Sequence, residues 1–199
     1  MQRNLALELV RVTEAAALAA ARENGRGDEM APERVATEAI FKAFGAMEVQ
    51  GEIVVGDPQQ HEGDLLATGA RLGESGEEVD IAVDPLEGAI SCALGGPNAM
   101  SIVALAGKDG FLGCPPNTYM EKIAGAADAA GVVDLDKTCA ENLGSLAEAR
   151  GVYVEDLTVV ILDRPRHDGL IEEVRAAGAR VRLIPHGDVA AAMAAARDG

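Results

Sequence analysis

The 199-residue sequence predicts an α/β protein: a layered α/β domain over 1–150, then the start of a second α/β domain over 151–199. Three observations carry this. Apolar residues recur at spacings of three and four in two N-terminal segments, the period of an amphipathic helix. Short apolar runs bounded by glycine or acidic turns read as buried strands. From Leu157 onward strand and helix patterns alternate, β-α-β-α, which implies parallel strands joined by a crossover helix.

The elements follow in order. Residues 5–22 form a helix, with Leu5, Leu9, Val12, Ala16 and Ala19 on one stripe and an alanine run that favours helix. Gly25-Arg26-Gly27-Asp28 ends it as a loop. Pro32 suits a first helical turn, so a second helix covers 33–44. Ile53-Val54-Val55 is a short buried strand, followed by a polar loop over 56–63. Residues 79–83 form a strand ending at Asp84-Pro85, and 100–106 form another. A further strand is expected at 119–123 and a helix at 139–150. The second domain opens with a strand at 158–162, then a helix over 168–177 stopped by Gly178, a strand at 181–184 and a helix at 188–197.

Composition narrows the function. Hydrophobic residues are 48% of the chain, too many for a disordered acidic protein. Aromatics are 3%, so the core must be built from Ala, Val, Leu and Ile. The formal net charge is −16, and neither a basic face nor stacking aromatics are present, which argues against a nucleic-acid partner. An acidic surface also repels an anionic membrane leaflet. The uncharged stretch 88–107 approaches membrane-span length, but Gly95-Gly96-Pro97-Asn98 makes a turn in its middle. Cys92, Cys114 and Cys139 fit neither a disulfide framework nor a zinc knuckle, and no signal-peptide pattern opens the chain, so a reducing cytoplasm is expected.

One stretch carries chemistry. A strand delivers Asp84 to its end, Pro85 stiffens the turn, and Glu87 follows three residues later. Two carboxylates aimed at one point form the all-oxygen set that hard divalent cations take. Gly88 lets the backbone approach a ligand closely, and a helix starting there would offer free N–H groups to an anion. The alternative is an ordinary strand-to-helix turn with acidic capping residues.

Asp84-Pro85-Leu86-Glu87-Gly88 resembles the D-P-[IL]-[DE]-G-T signature of the lithium-sensitive, metal-dependent sugar and inositol phosphatases. The likeness is closest to the bacterial class II fructose-1,6-bisphosphatases. Collinear stretches support it: Arg11-Val12-Thr13-Glu14-Ala15-Ala16, Gly25-Arg26-Gly27-Asp28, Tyr119-Met120-Glu121-Lys122-Ile123, Arg164-Pro165-Arg166-His167-Asp168 and Gly187-Asp188-Val189-Ala190-Ala191. The resemblance implies a layered αβαβα sugar-phosphatase fold and Mg²⁺ or Mn²⁺ as cofactor. It implies hydrolysis of the 1-phosphate of fructose 1,6-bisphosphate. It covers essentially all of this chain but roughly three-fifths of a typical member, so the second domain is expected to be truncated and its open edge covered by another copy or a homologous chain.

Carried over residue by residue, the resemblance makes Glu33, Asp57, Asp84 and Glu87 the metal ligands, with Asp57 standing for a usual Glu and Glu33 for a usual Asp. It makes Glu87, Gly88, Ala89, Tyr119, Arg164, Pro165, Arg166, His186, Gly187 and Asp188 the sugar-phosphate contacts. Arg164 replaces a usual Lys, and His186 replaces the first Asp of a D-G-D motif. Three departures touch catalysis. His61 stands where the family has a water-activating carboxylate, Ala89 where it has a water-orienting Thr, and Glu29 where it has a Lys. His61 is a candidate substitute base, because imidazole titrates near neutrality. With Asp84 and Glu87 it completes the expected catalytic set. Three outcomes follow: a metal-dependent phosphatase with impaired or altered activity; a non-catalytic homologue that binds sugar phosphate or a full-length partner; or a shortened product without a role.

Overall fold

The computed structural model describes residues 3–56, 64–115 and 118–197. They fall into two compact units, Met1–Thr118 and Tyr119–Gly199. The α/β class expected from the sequence is what forms, with helices and sheets in both units. Asp57 and His61 lie outside the described residues.

The first unit runs α1 (Arg3–Ala21), α2 (Ala31–Phe44), β1 (Val49–Val55), β2 (Arg71–Leu72), β3 (Glu77–Glu87), α3 (Ala89–Ala93) and β4 (Met100–Gly107). Its sheet has the order β2-β1-β3-β4. β1 and β3 are parallel, and the two outer pairings are antiparallel. α1 and α2 pack on each other and against β3. Val12, Ala16 and Ala20 of α1 meet Ala36, Ile40 and Phe44 of α2 over Val49, Ile53, Val79, Ile81 and Val83 of the sheet. Burying a side chain of the size of Ile40, Ile53 or Ile81 contributes about 1.5–3 kcal/mol, so this aliphatic interface supplies much of the stability. Gly51 is part of the fit: a Cβ there would overlap the Ile81 side chain.

The second unit holds α4 (Cys139–Arg150), β5 (Thr158–Leu162), α5 (Asp168–Ala176), β6 (Arg180–Ile184) and α6 (Asp188–Ala195). β5 and β6 pair in parallel, with α5 as the expected crossover. Leu143 and Ala147 of α4 join Leu157, Ile161, Ile171, Val174 and Ala179 in one core.

The structure differs from the sequence reading in four places. β3 does not end before Asp84-Pro85 but continues to Glu87. β2 is new; two residues leave no periodicity to read. Residues 118–126 form neither strand nor helix, because β5 and β6 take each other as partners and leave this segment none. Residues 119–150, expected in the first domain, belong to the second unit, because Leu143 and Ala147 bury their side chains beside Ile161 and Val174.

Candidate functional site

The candidate site begins with a β-bulge. Asp84 pairs with Ile102 of β4, whereas Glu87 pairs with Met100. Three steps along β3 are matched by two along β4, so one residue is extra. Side chains of a strand alternate between faces, and an uninterrupted β3 would send Glu87 to the same face as Val79, Ile81 and Val83. The bulge reverses that parity. Leu86 enters the core with Val83, and Glu87 moves to the face of Asp80, Ala82 and Asp84. Its partners Ile102 and Met100 are two residues apart, so Asp84 and Glu87 stand roughly 7 Å apart along one face. The sequence suggested that a tight turn would aim both carboxylates at one point; the bulge inside the strand places both on one side. Pro85 is tolerated because a bulge needs no ladder N–H from it.

Gly88 follows with φ 78° and ψ 33°. That left-handed conformation is one that a side chain disfavours, so glycine is required for the strand to turn directly into α3. The Cys92 N–H donates to the Gly88 carbonyl at 3.0 Å, closing the first turn. Ala89 is the first residue of α3 and is buried, 9% exposed, with no hydroxyl to offer.

Topology brings a further carboxylate toward this end of the sheet. A short connection joins α2 to β1, so α2 runs back along the sheet and its first turn lies toward the carboxyl ends of β1 and β3. Glu33 is in that first turn. Asp57, the other expected ligand, lies outside the described residues. The Gly25-Arg26-Gly27-Asp28 loop ties the arrangement together. Gly25 and Gly27 donate backbone N–H groups to the Cys92 and Ala93 carbonyls at 2.9 Å each. Asp28 Oδ1 accepts from the N–H groups of Met30 and Ala31 at 3.1 and 3.2 Å, organising the start of α2.

The donor chemistry suits a hard cation of the magnesium type, which is commonly held by one or two carboxylates, several waters and substrate phosphate. Asp84 and Glu87 are such a pair. Among the described residues, however, no three His, Cys, Asp or Glu side chains are gathered closely enough to hold a metal ion, so Glu33 does not complete a cage with them. A groove of about 260 Å³ lies elsewhere on the outer face of the sheet, lined by Glu52, Arg71, Glu78, Asp80 and Lys108. Asp80 is four residues from Asp84, about 13 Å along β3, so the groove is separate from the carboxylate pair.

In the second unit the expected sugar-phosphate residues gather at the carboxyl ends of the two parallel strands. Open α/β sheets commonly bind ligands at that edge. Arg164, Pro165 and Arg166 follow β5, and His186, Gly187 and Asp188 follow β6. The Asp163 N–H donates to the Ile184 carbonyl at 2.8 Å, holding the two segments side by side. Gly187 turns left-handed, φ 92°, to start α6, and Asp188 sits in its first turn. Arg166 Cζ lies 5.2 Å from the centre of the Tyr119 ring, a cation–π contact between two of the expected residues.

Arg164 does something the sequence did not foretell. Its guanidinium donates through Nη1 to the Asp163 carbonyl at 2.8 Å and through Nη2 to the Pro185 carbonyl at 2.7 Å. No sequence signal could have revealed this, since backbone carbonyls are present at every position. His167, read as a helix-start residue, lies with Nδ1 2.8 Å from the Leu162 carbonyl oxygen.

Residues 3–199 match the profile of a family described as bacterial fructose-1,6-bisphosphatase, glpX-encoded. A protein of Synechococcus elongatus named D-fructose 1,6-bisphosphatase class 2/sedoheptulose 1,7-bisphosphatase is 41% identical, over 97% of this chain and 59% of its own length. A protein of the same name from Prochlorococcus marinus is 42% identical, over 98% of this chain and 58% of its own. The chain therefore spans about three-fifths of the length of these relatives.

Proposed function

This chain belongs to the bacterial, glpX-encoded fructose-1,6-bisphosphatase family, and on that premise we propose that it binds a phosphorylated sugar and hydrolyses its phosphomonoester. The proposed reaction takes fructose 1,6-bisphosphate and water to fructose 6-phosphate and phosphate in a bacterial cytoplasm. The observation that carries this reading is the bulge that sets Asp84 and Glu87 on one face, immediately before Gly88 and α3.

In this proposal Asp84 and Glu87 would hold Mg²⁺ or Mn²⁺, with Glu33 and Asp57 reaching the cation through its bound waters. When bound, the cation would neutralise phosphate charge and acidify a water molecule. The rest is the work of the chain's own side chains. Glu87, Gly88 and Ala89 meet the reacting phosphate through the start of α3. Arg166 supplies a permanent positive charge to the sugar phosphate, with Tyr119 beneath it as an aromatic platform. Arg164 and Pro165 shape that segment, while His186, Gly187 and Asp188 offer hydrogen-bonding groups to the sugar. His61 is the candidate base for the attacking water.

Ala89 favours a second reading. Positioning and charge stabilisation do most of the work in phosphoryl transfer. A buried methyl at the head of α3 provides no hydroxyl to orient water. A homologue that binds sugar phosphate without turnover, alone or paired with a homologous chain, follows from that. The two readings separate in one experiment: phosphate release from fructose 1,6-bisphosphate with Mn²⁺ or Mg²⁺, beside an Asp84→Asn control. An active enzyme loses about 10²-fold or more in the control. Binding of the bisphosphate with no release above the control would establish the second reading, and failure to bind would remove both.

A further inference from the structure

We propose that His167 is a positioning residue that, together with Arg164, locks the segment between β5 and α5 so that Arg166 is held as its ligand-facing cation. The inference rests on the sugar-phosphate reading above and assigns Arg164 a structural part in it.

The His167 ring nitrogen Nδ1 is 2.8 Å from the Leu162 carbonyl oxygen. A carbonyl oxygen only accepts, so Nδ1 carries the proton and donates. The backbone N–H of His167 donates to the Arg164 carbonyl, also at 2.8 Å. One residue therefore closes the segment twice, once through its side chain to the last residue of β5 and once through its backbone. From the other side, the Arg164 guanidinium bridges the Asp163 and Pro185 carbonyls at 2.8 and 2.7 Å. Its fork is directed at the backbone, joining the segment after β5 to the segment after β6.

Arg166 lies between these anchors. It is exposed, stacked on Tyr119, and has no ion pair among the described residues. Fixing the backbone on both sides of it removes freedom that would otherwise be lost when an anion binds, which raises affinity without adding a contact. A lysine at position 164 could direct only one ammonium at the two carbonyls, whereas the planar guanidinium spans both.

The test uses the full 199-residue chain and inorganic phosphate as the probe. His167→Phe keeps the ring volume and deletes the donor, while His167→Asn keeps a donor near the position of Nδ1. Arg166→Gln removes the charge. Hydrogen exchange of the amides at 163–168 and phosphate affinity by calorimetry are measured for each. Losing one hydrogen bond should speed exchange and weaken phosphate binding in His167→Phe by about three- to tenfold each. His167→Asn should stay within about twofold of the unsubstituted chain. Arg166→Gln should lose binding with exchange unchanged. Exchange in His167→Phe equal to that of the unsubstituted chain overturns the lock. Faster exchange with unaltered phosphate affinity, or no rescue by His167→Asn, overturns the positioning role. An unsubstituted chain that does not bind phosphate removes the positioning role along with the reading it rests on, and exchange then decides the lock alone.

Discussion

Leu86 and Glu87 are adjacent in sequence, yet the bulge in β3 assigns them to opposite faces of the sheet, so their substitution should have separable consequences. Leu86 is 5% exposed and packs in the main core of the first unit. Leu86→Ala removes three carbons from that core, a change that costs about 2–5 kcal/mol. The lower half of that range applies, because the residue lies near the strand end where neighbours can relax. A loss of 2–3 kcal/mol in a unit of this size lowers the melting temperature by on the order of 10 °C. Glu87 is half-buried on the other face. Glu87→Ala should change stability by less than about 1 kcal/mol, as substitutions outside the core commonly do. It should weaken Mn²⁺ binding by at least about tenfold, equivalent to 1.4 kcal/mol. Urea denaturation in the presence of a chelator reads the first effect, and a calorimetric Mn²⁺ titration reads the second. A folded Leu86→Ala protein with Mn²⁺ affinity as poor as that of Glu87→Ala would refute the face assignment. So would a Glu87→Ala protein as destabilised as Leu86→Ala.

Two further predictions concern the second unit. Thr138 accepts from the Glu141 N–H at 3.2 Å, and the Glu141 carboxylate accepts from the Thr138 N–H at 2.8 Å, a reciprocal cap on α4. Thr138→Ala should cost about 1 kcal/mol in urea denaturation, and Thr138→Ser should recover most of it. Arg150 holds Asp128 in a two-pronged pair at 2.7 and 2.9 Å, which depresses the Asp128 pKa below its usual 3.8. A carboxyl with a depressed folded-state pKa stabilises above its unfolded value and loses that contribution as pH falls through the folded value. The stability difference between the unsubstituted chain and Asp128→Asn should therefore persist at neutral pH and close below about pH 3.8. A difference independent of pH down to pH 2 would exclude the pair as its source.

Much of the architecture was legible because it is written in local periodicity. The stripe of Leu5, Val12 and Ala16 in α1 is buried as read. The β5-α5-β6 unit folds as its alternating pattern implies, since a parallel pair needs a crossover. The Asp84–Gly88 stretch stood out because proline, glycine and two carboxylates in five residues are a dense local signal. Local signals failed where the outcome depended on remote partners. Tyr119–Ile123 has strand-forming residues but no neighbour to pair with. The Cys139–Arg150 helix was recognised, but its attachment to the second unit depends on Ile161 and Val174, which are distant in sequence.

By itself, the sequence determined the α/β class, the family and the identity of the chemical groups, because helical period, strand runs and motif residues are carried along the chain. Only the tertiary structure decided how those groups are used. Glu87 faces the same side as Asp84 because β4 offers two positions against three of β3. Arg164 points at carbonyls because β6 brings Pro185 within reach. Strand parity and backbone acceptors come into existence only when distant segments pair, and no reading of neighbours along the chain can supply them.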